Sequence, residues 1–73
     1  MKTYLTLWFN SEGSSPSGVI NSLRDMGFNP VQGNYDMEYD WGRMVTVEDV
    51  LDLGDRIQAS VKEGALLFKL ETV

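Results

Sequence analysis

The stretch NYDMEYDWG, residues 34–42, alternates large side chains with carboxylates. Such a period of two residues is typical of a β-strand with one buried face. Because burying unpaired carboxylates costs folding free energy, the acids are expected to face outward. The pattern therefore predicts a strand over residues 35–41. Its core-facing set is Tyr35, Met37, Tyr39 and Trp41, and its outward set is Asp36, Glu38 and Asp40.

The preceding segment, NPVQG at residues 29–33, predicts a short strand at a sheet edge, because Pro30 cannot donate a ladder hydrogen bond. Gly33-Asn34 fits a two-residue hairpin turn, since both residue types tolerate positive φ. The rival interpretation is one long bent strand from Pro30 to Trp41, with Gly33 as a bulge. We favour the hairpin.

Two further strands are predicted near the chain ends, at residues 3–9 (TYLTLWF) and 66–72 (LLFKLET). The first is rich in β-forming residues on both faces, which suits a central strand. The residues predicted to face the helices are Leu5, Leu7, Phe9, Leu66, Phe68 and Leu70. Those predicted on the opposite face are Tyr4, Thr6, Trp8, Leu67, Lys69 and Glu71.

The two helices are predicted from their end signals. Pro16 suits a first helical position, with Ser15 as N-cap, and Gly27 followed by Phe28 suits a C-terminal stop after about Met26. The second helix is predicted from the T-x-x-D capping box at residues 46–49 to about Glu63, with Gly64 as its stop. The core-facing residues predicted on the helices are Val19, Ile20, Leu23, Met26, Val50, Leu51, Ile57 and Val61, with Leu53 on the flank of the second helix.

The predicted order is therefore βαββαβ in a single domain, residues 1–73. Right-handed crossovers place both helices on one side of the sheet. The fold class is α+β: a ferredoxin-like sandwich, with one antiparallel sheet, two helices on one face and strand order 4-1-3-2. That order puts the segment with Pro30 at an edge and the aromatic first strand in the centre, so local and global signals agree.

Composition disfavours several functions. The 73 residues contain no Cys and no His, which removes disulfides, thiolate metal sites and the commonest general base, so we expect no enzyme and no cofactor. The net charge of −5 repels phosphate, so we expect no nucleic-acid binding, although the architecture is shared with RNA-recognition modules. Three acids along one strand form a row, which is a poor metal cage, so no metal is expected either.

No apolar run approaches the roughly 20 residues that cross a bilayer, so we expect no membrane association. The N-terminal MKTYLTLWFN alternates like a strand and lacks the small-residue cleavage signal of a secretory peptide. A cytoplasmic location is the resulting expectation.

The functional hypothesis concerns the sheet face opposite the helices. Exposed aromatic side chains beside acids resemble a binding surface more than bare solvent surface. We expect a non-catalytic protein-binding or assembly module, whose partner is another protein or a second copy of the chain. The alternative is that the acids only keep this face soluble. The candidate partner-binding residues are Tyr4, Trp8, Asp36, Glu38 and Asp40.

A second hypothesis concerns the loop GSSPSG, residues 13–18, which precedes the first helix where backbone N–H groups favour anions. The stretch SPSGVINSLRDMGFNP is similar to the opening of ACT regulatory domains. Ser17 separates Pro16 from Gly18 here, whereas the two are adjacent in that family. The resemblance implies a small-molecule regulatory domain that senses an amino acid, with Ser14, Ser15 and Gly18 at the ligand.

Overall fold

The computed structural model describes residues 1–9, 16–60 and 67–73. Six elements follow in the predicted order: β1 (Lys2–Trp8), α1 (Pro16–Asp25), β2 (Asn29–Pro30), β3 (Met37–Asp40), α2 (Val47–Ser60) and β4 (Leu67–Thr72). The strands form one antiparallel sheet in the order β2-β3-β1-β4. This is the predicted 4-1-3-2 order counted from the other edge, and the α+β fold class is confirmed.

Both helices cover the same face of the sheet. On β1, Thr3, Leu5 and Leu7 are buried, whereas the residues between them are half-buried and Trp8 is exposed. The buried strand residues join the inner sides of both helices in one apolar cluster, consisting of Leu5, Leu7, Met37, Val19, Leu23, Phe28, Leu53 and Ile57. The opposite face of the sheet carries no helix among the described residues.

Helix α1 begins at Pro16 as predicted and ends at Asp25, one residue before the predicted end. Gly27, with a φ of 109°, donates to the Arg24 carbonyl, and Phe28 N–H donates to the Leu23 carbonyl. These two bonds form a Schellman motif, which satisfies carbonyls that the last turn leaves free. Phe28 and Leu23 are both buried, so the predicted stop also anchors the chain in the core. The predicted N-cap Ser15 lies outside the described residues.

Helix α2 begins with the predicted capping box. Thr46 N–H donates to Asp49 Oδ2 at 3.0 Å, and Asp49 N–H donates to Thr46 Oγ1 at 3.2 Å. The predicted buried stripe is partly wrong: Leu51 is 62% exposed, whereas Leu53, assigned to the flank, is fully buried. The core lies against the side of α2 that carries Leu53 and Ile57. Val61, Glu63 and Gly64 lie outside the described residues.

The β2–β3 hairpin is confirmed over the single long strand, because Asn29 pairs with Glu38 and Pro30 with Met37. Its turn differs from the prediction. Six residues, 31–36, connect the strands instead of a two-residue turn, and Val31 N–H donates to the Asp36 carbonyl within this loop. Gly33 lies in the loop with a φ of 109°.

The predicted side-chain alternation holds for most of β3. Met37 is fully buried, and Tyr39 and Trp41 pack against the core. It is wrong for Tyr35, which stacks on Tyr4 on the face away from the helices. The reason is a β-bulge, in which two consecutive residues of one strand lie opposite one residue of the next. Met37 is the registered partner of Leu5, and Asp36 N–H donates to the Leu5 carbonyl, so both residues lie opposite Leu5.

The core positions predicted at the end of β1 and on β4 have different outcomes. Phe9 is 43% exposed just beyond the end of β1, so its predicted burial is wrong. Phe68 and Leu70 are half-buried against the core, as predicted, and Leu66 lies outside the described residues. Among the described residues, the exposed large apolar side chains are Met1, Trp8, Phe9, Met44, Val47, Leu51, Leu67 and Val73.

Candidate protein-binding face

The face of the sheet away from the helices, hereafter the open face, is formed by alternate residues of three strands and one loop residue. Strand register places Tyr4 between Glu38 and Glu71, and Thr6 beside Lys69. The residues on this face are Lys2, Tyr4, Thr6, Trp8, Tyr35, Glu38, Asp40, Leu67, Lys69 and Glu71.

The centre of the open face is a stacked tyrosine pair. The rings of Tyr4 and Tyr35 lie 4.7 Å apart at 22° between planes. Tyr35 donates from its hydroxyl to Glu71 Oε2 at 2.6 Å, and Lys69 Nζ lies 2.8 Å from Glu71 Oε1. The hydrogen bond with Glu71 raises the pKa of Tyr35, and the bond with Lys69 lowers the pKa of Glu71. This network keeps the Glu71 carboxylate charged and oriented.

An exposed apolar pair lies at one end of the open face. Trp8 on β1 is 52% exposed, and its cross-strand partner Leu67 on β4 is 72% exposed. Directly paired residues on one sheet face have adjacent side chains, so the two form a continuous apolar surface. Such a patch beside charged groups is typical of an interaction surface.

The three predicted acids do not form one row. Glu38 lies on the open face with Lys2 Nζ 3.7 Å away, and the Asp40 side chain is exposed, accepting from Gly42 N–H at 3.0 Å. Asp36 precedes β3, and its Oδ2 accepts from Leu7 N–H at 2.8 Å. The Asp36 carboxylate thus replaces a strand partner for β1 beyond the end of the ladder, which corrects its predicted place in the row.

Sequence reasoning missed Tyr35 as a member of the open face. The bulge at Asp36 adds one residue to the strand, and a one-residue shift exchanges the two faces of a sheet. Tyr35, which precedes the bulge, therefore lies on the open face instead of the helix side. The only signal is the polar run QGN at residues 32–34, which favours a longer loop over a tight turn. Lys69 and Glu71 were placed on the correct face, but their link to Tyr35 followed from no pattern.

The residues predicted for a small-molecule site are only partly described. Ser14 and Ser15 lie outside the described residues, and Gly18 is exposed in the first turn of α1. Within residues 1–9, 16–60 and 67–73, no group of three or more acidic side chains converges as a metal site requires. No helix in the same part of the chain is long and apolar enough to span a membrane.

Comparison with known proteins identifies no relative. No protein-family model matches the chain, and searches of curated proteins and of solved structures found no significant match. The similarity of residues 15–30 to ACT domains therefore stays a prediction. The open face is the feature of the molecule that indicates a function.

Proposed function

We propose that this protein is a non-catalytic binding module whose open face docks a positively charged segment of a partner protein. The observation that supports the proposal is the exposed Trp8–Leu67 pair on a sheet face with no helix cover among the described residues. Aromatic side chains, tryptophan above all, are enriched among the residues that supply most of the binding free energy of an interface. Trp8 is the side chain expected to do so here.

The charge of the protein defines the kind of partner. The chain has a net charge of −5. On or beside the open face, four carboxylates accompany two lysines, and each lysine is already ion-paired with a glutamate. A partner with Lys or Arg gains favourable attraction and faster association, and an Arg side chain over the Trp8 ring adds a cation–π contact of about 0.5–1 kcal/mol. The carboxylates are Asp36, Glu38, Asp40 and Glu71.

The acids present suit binding better than catalysis. A general acid at neutral pH needs a carboxyl group with a raised pKa. The hydrogen bond from Thr46 N–H lowers the pKa of Asp49, and that with Lys69 lowers the pKa of Glu71. Both groups therefore hold negative charge rather than a proton. With no His or Cys in the chain, a non-catalytic role is the consistent proposal.

The test is an amide chemical-shift titration with defined peptides. The probe contains alternating Arg and Leu, and the comparison peptide replaces every Arg by Glu. We expect the Arg peptide to shift the amides of β1 and β4 and the indole of Trp8, and the Glu peptide to shift neither. Added salt should weaken the effect, because the attraction is between exposed charges.

Two variants make the titration specific to the open face. Trp8→Ala should weaken binding of the Arg peptide at least tenfold, and Glu38→Gln with Asp40→Asn should weaken it and reduce its salt dependence. The charge-matched control is Glu48→Gln with Asp52→Asn, two exposed positions on α2. If the control weakens binding as much as the open-face variant, only net charge matters and the proposal is wrong. The same holds if Trp8→Ala has no effect.

A further inference from the structure

The two edges of the sheet differ in how well they are protected from another strand. The β2 edge has two paired residues and includes Pro30, which has no N–H to offer. The β4 edge spans six residues, Leu67–Thr72, without proline. Natural proteins usually shorten, charge or cover such edges, because unpaired backbone groups recruit further strands. The β4 edge carries one cation and one anion, Lys69 and Glu71, so a strand with the complementary order of charges can pair with it without net repulsion.

The hydrogen-bond phase of β4 shows which backbone groups face outward. Lys2 and Val73 exchange both backbone bonds, at 3.1 and 2.9 Å, so they form a hydrogen-bonded pair. Such pairs alternate along an antiparallel ladder, so Lys69 and Glu71 also direct their backbone groups at β1. The intervening residues direct theirs away from the sheet. These are Phe68, Leu70 and Thr72.

We propose that a second copy of this chain pairs with this edge, β4 antiparallel to β4, with Leu70 opposite Leu70 at a two-fold axis. Phe68 then lies opposite Thr72 of the partner subunit, so every outward backbone group meets an outward group. The two sheets become one continuous sheet. This interface joins the edges of the two sheets and leaves Trp8 and the Tyr4–Tyr35 pair of each open face uncovered.

Charge complementarity selects this register. With Leu70 on the axis, the Lys69–Glu71 ion pair of one copy lies beside that of the other, so that Lys69 of each copy is opposite Glu71 of the other and four charges alternate in sign. These are non-hydrogen-bonded pairs, in which side chains approach most closely. The two neighbouring registers that also pair outward backbone groups with each other shift one strand by two residues. One of them places Lys69 opposite Lys69, and the other places Glu71 opposite Glu71. Both alternatives oppose like charges.

The helix side of β4 supplies apolar surface for the same contact. Leu70 and Thr72 line an open groove of about 380 Å³ with Val50 and other residues at the start of α2. At the groove, Val47 is 74% and Leu51 is 62% exposed. In this register, the even-numbered residues of one β4 strand pair with the even-numbered residues of the other. The helix-covered faces of the two sheets therefore lie on the same side of the joined sheet, with the two α2 helices beside the axis. Part of the exposed apolar surface is then covered.

Charge-reversal variants test the proposal by sedimentation at concentrations up to about 1 mM, which detects weak association. The wild type should show reversible dimerisation. Lys69→Glu and Glu71→Lys should each be monomeric, because each opposes like charges in its own dimer. An equimolar mixture of the two should form a heterodimer, since one copy presents two acids to the two lysines of the other.

The double variant Lys69→Glu with Glu71→Lys is the matched control, because it restores both cross-axis pairs and should dimerise. Far-UV circular dichroism checks that each variant is folded. Amide hydrogen exchange tests whether the outward edge of β4 is the one that pairs: the Leu70 amide should gain protection with rising concentration, whereas the Lys69 amide, bonded to β1, should not change. A wild type that stays monomeric overturns the proposal. So do single variants that dimerise like the wild type, or a mixture that fails to associate.

Discussion

Tyr35 and Glu71 are joined by a 2.6 Å hydrogen bond from the phenol hydroxyl to Oε2, across 36 residues of sequence. Tyr35 belongs to the loop before β3, whereas Glu71 lies on β4, at the opposite side of the central strand β1. The Tyr35 ring covers Tyr4 on β1 to reach it. This contact ties the loop, the central strand and an edge strand together on the open face.

The first prediction concerns the titration of Tyr35. Its pKa is raised above the ordinary 10.0, first by the hydrogen bond to Glu71 and next by the negative charge of Glu71. Its contribution to stability is therefore complete below about pH 10 and is lost as the pH rises through the raised value. Glu71→Gln should lower the pKa of Tyr35, measured from the ¹³Cζ chemical shift. The matched control is Glu38→Gln, because Glu38 is the other glutamate paired with Tyr4. A similar drop in both variants would contradict a specific bond.

The second prediction compares two glycines with the same φ of 109°. A Cβ added at Gly27 would lie 3.0 Å from Tyr39 Cε1, whereas at Gly33 it would meet nothing within 4 Å. Gly33→Ala should therefore cost only the backbone strain, about 1–2 kcal/mol of the free energy of unfolding. Gly27→Ala should cost more, because Tyr39 must also move from its packing against Phe28. Urea unfolding of both variants measures the difference, and equal losses would show that Tyr39 accommodates the methyl group.

The third prediction concerns a buried polar chain on the helix side. Thr3 has no exposed surface; its Oγ1 accepts from Trp41 Nε1 at 2.7 Å and shares a hydrogen bond with Thr72 Oγ1 at 2.8 Å. Thr3→Val should lower the free energy of unfolding by about 1–3 kcal/mol, because it leaves both partners short of a bond. Thr6→Val, on the same strand but the opposite face, is the control, with an expected change of about 0.5 kcal/mol or less. Equal losses in the two variants would assign the cost to strand packing instead.

The sequence was sufficient where a local signal determines a local structure. The Gly27–Phe28 stop, the Thr46–Asp49 capping box and the edge position of Pro30 all have short-range causes, and the structure has each of them where it was predicted. Thr3 illustrates what such patterns omit: its burial depends on Trp41 and Thr72, which are distant in sequence.

The candidate face was predictable only in part. Alternation placed Trp8 and Glu38 correctly, because a period of two residues persists within an unbroken ladder. It failed at Tyr35 because the bulge at Asp36 is stabilised by tertiary bonds to the backbone of Leu5 and Leu7. Those bonds depend on strand pairing, and nothing in residues 34–36 by themselves specifies them.

The fourth prediction tests the capping box of α2. Thr46→Ala removes the acceptor of Asp49 N–H and should lower the free energy of unfolding by about 1 kcal/mol. Gln58→Ala, exposed on the same helix, is the control and should change it by about 0.5 kcal/mol or less. Urea unfolding at neutral pH measures both. Equal effects would mean that the cap bond adds nothing to the stability of the helix.

The acidic half of the same box gives this prediction a pH dependence. The pKa of Asp49 is lowered from its ordinary 3.8, first by the bond from Thr46 N–H and further by Arg43, whose Nη1 lies 3.3 Å from its Oδ2. A lowered pKa means that the folded state favours the charged form, so the contribution is complete well above pH 3.8 and is lost as the pH falls through the lowered value. Asp49→Asn should therefore destabilise the protein at pH 7, and the difference from wild type should shrink as the pH falls below 3.8 and through the lowered pKa of Asp49. A difference that stays constant between pH 7 and pH 2 would show that the carboxylate charge has no part in the cap.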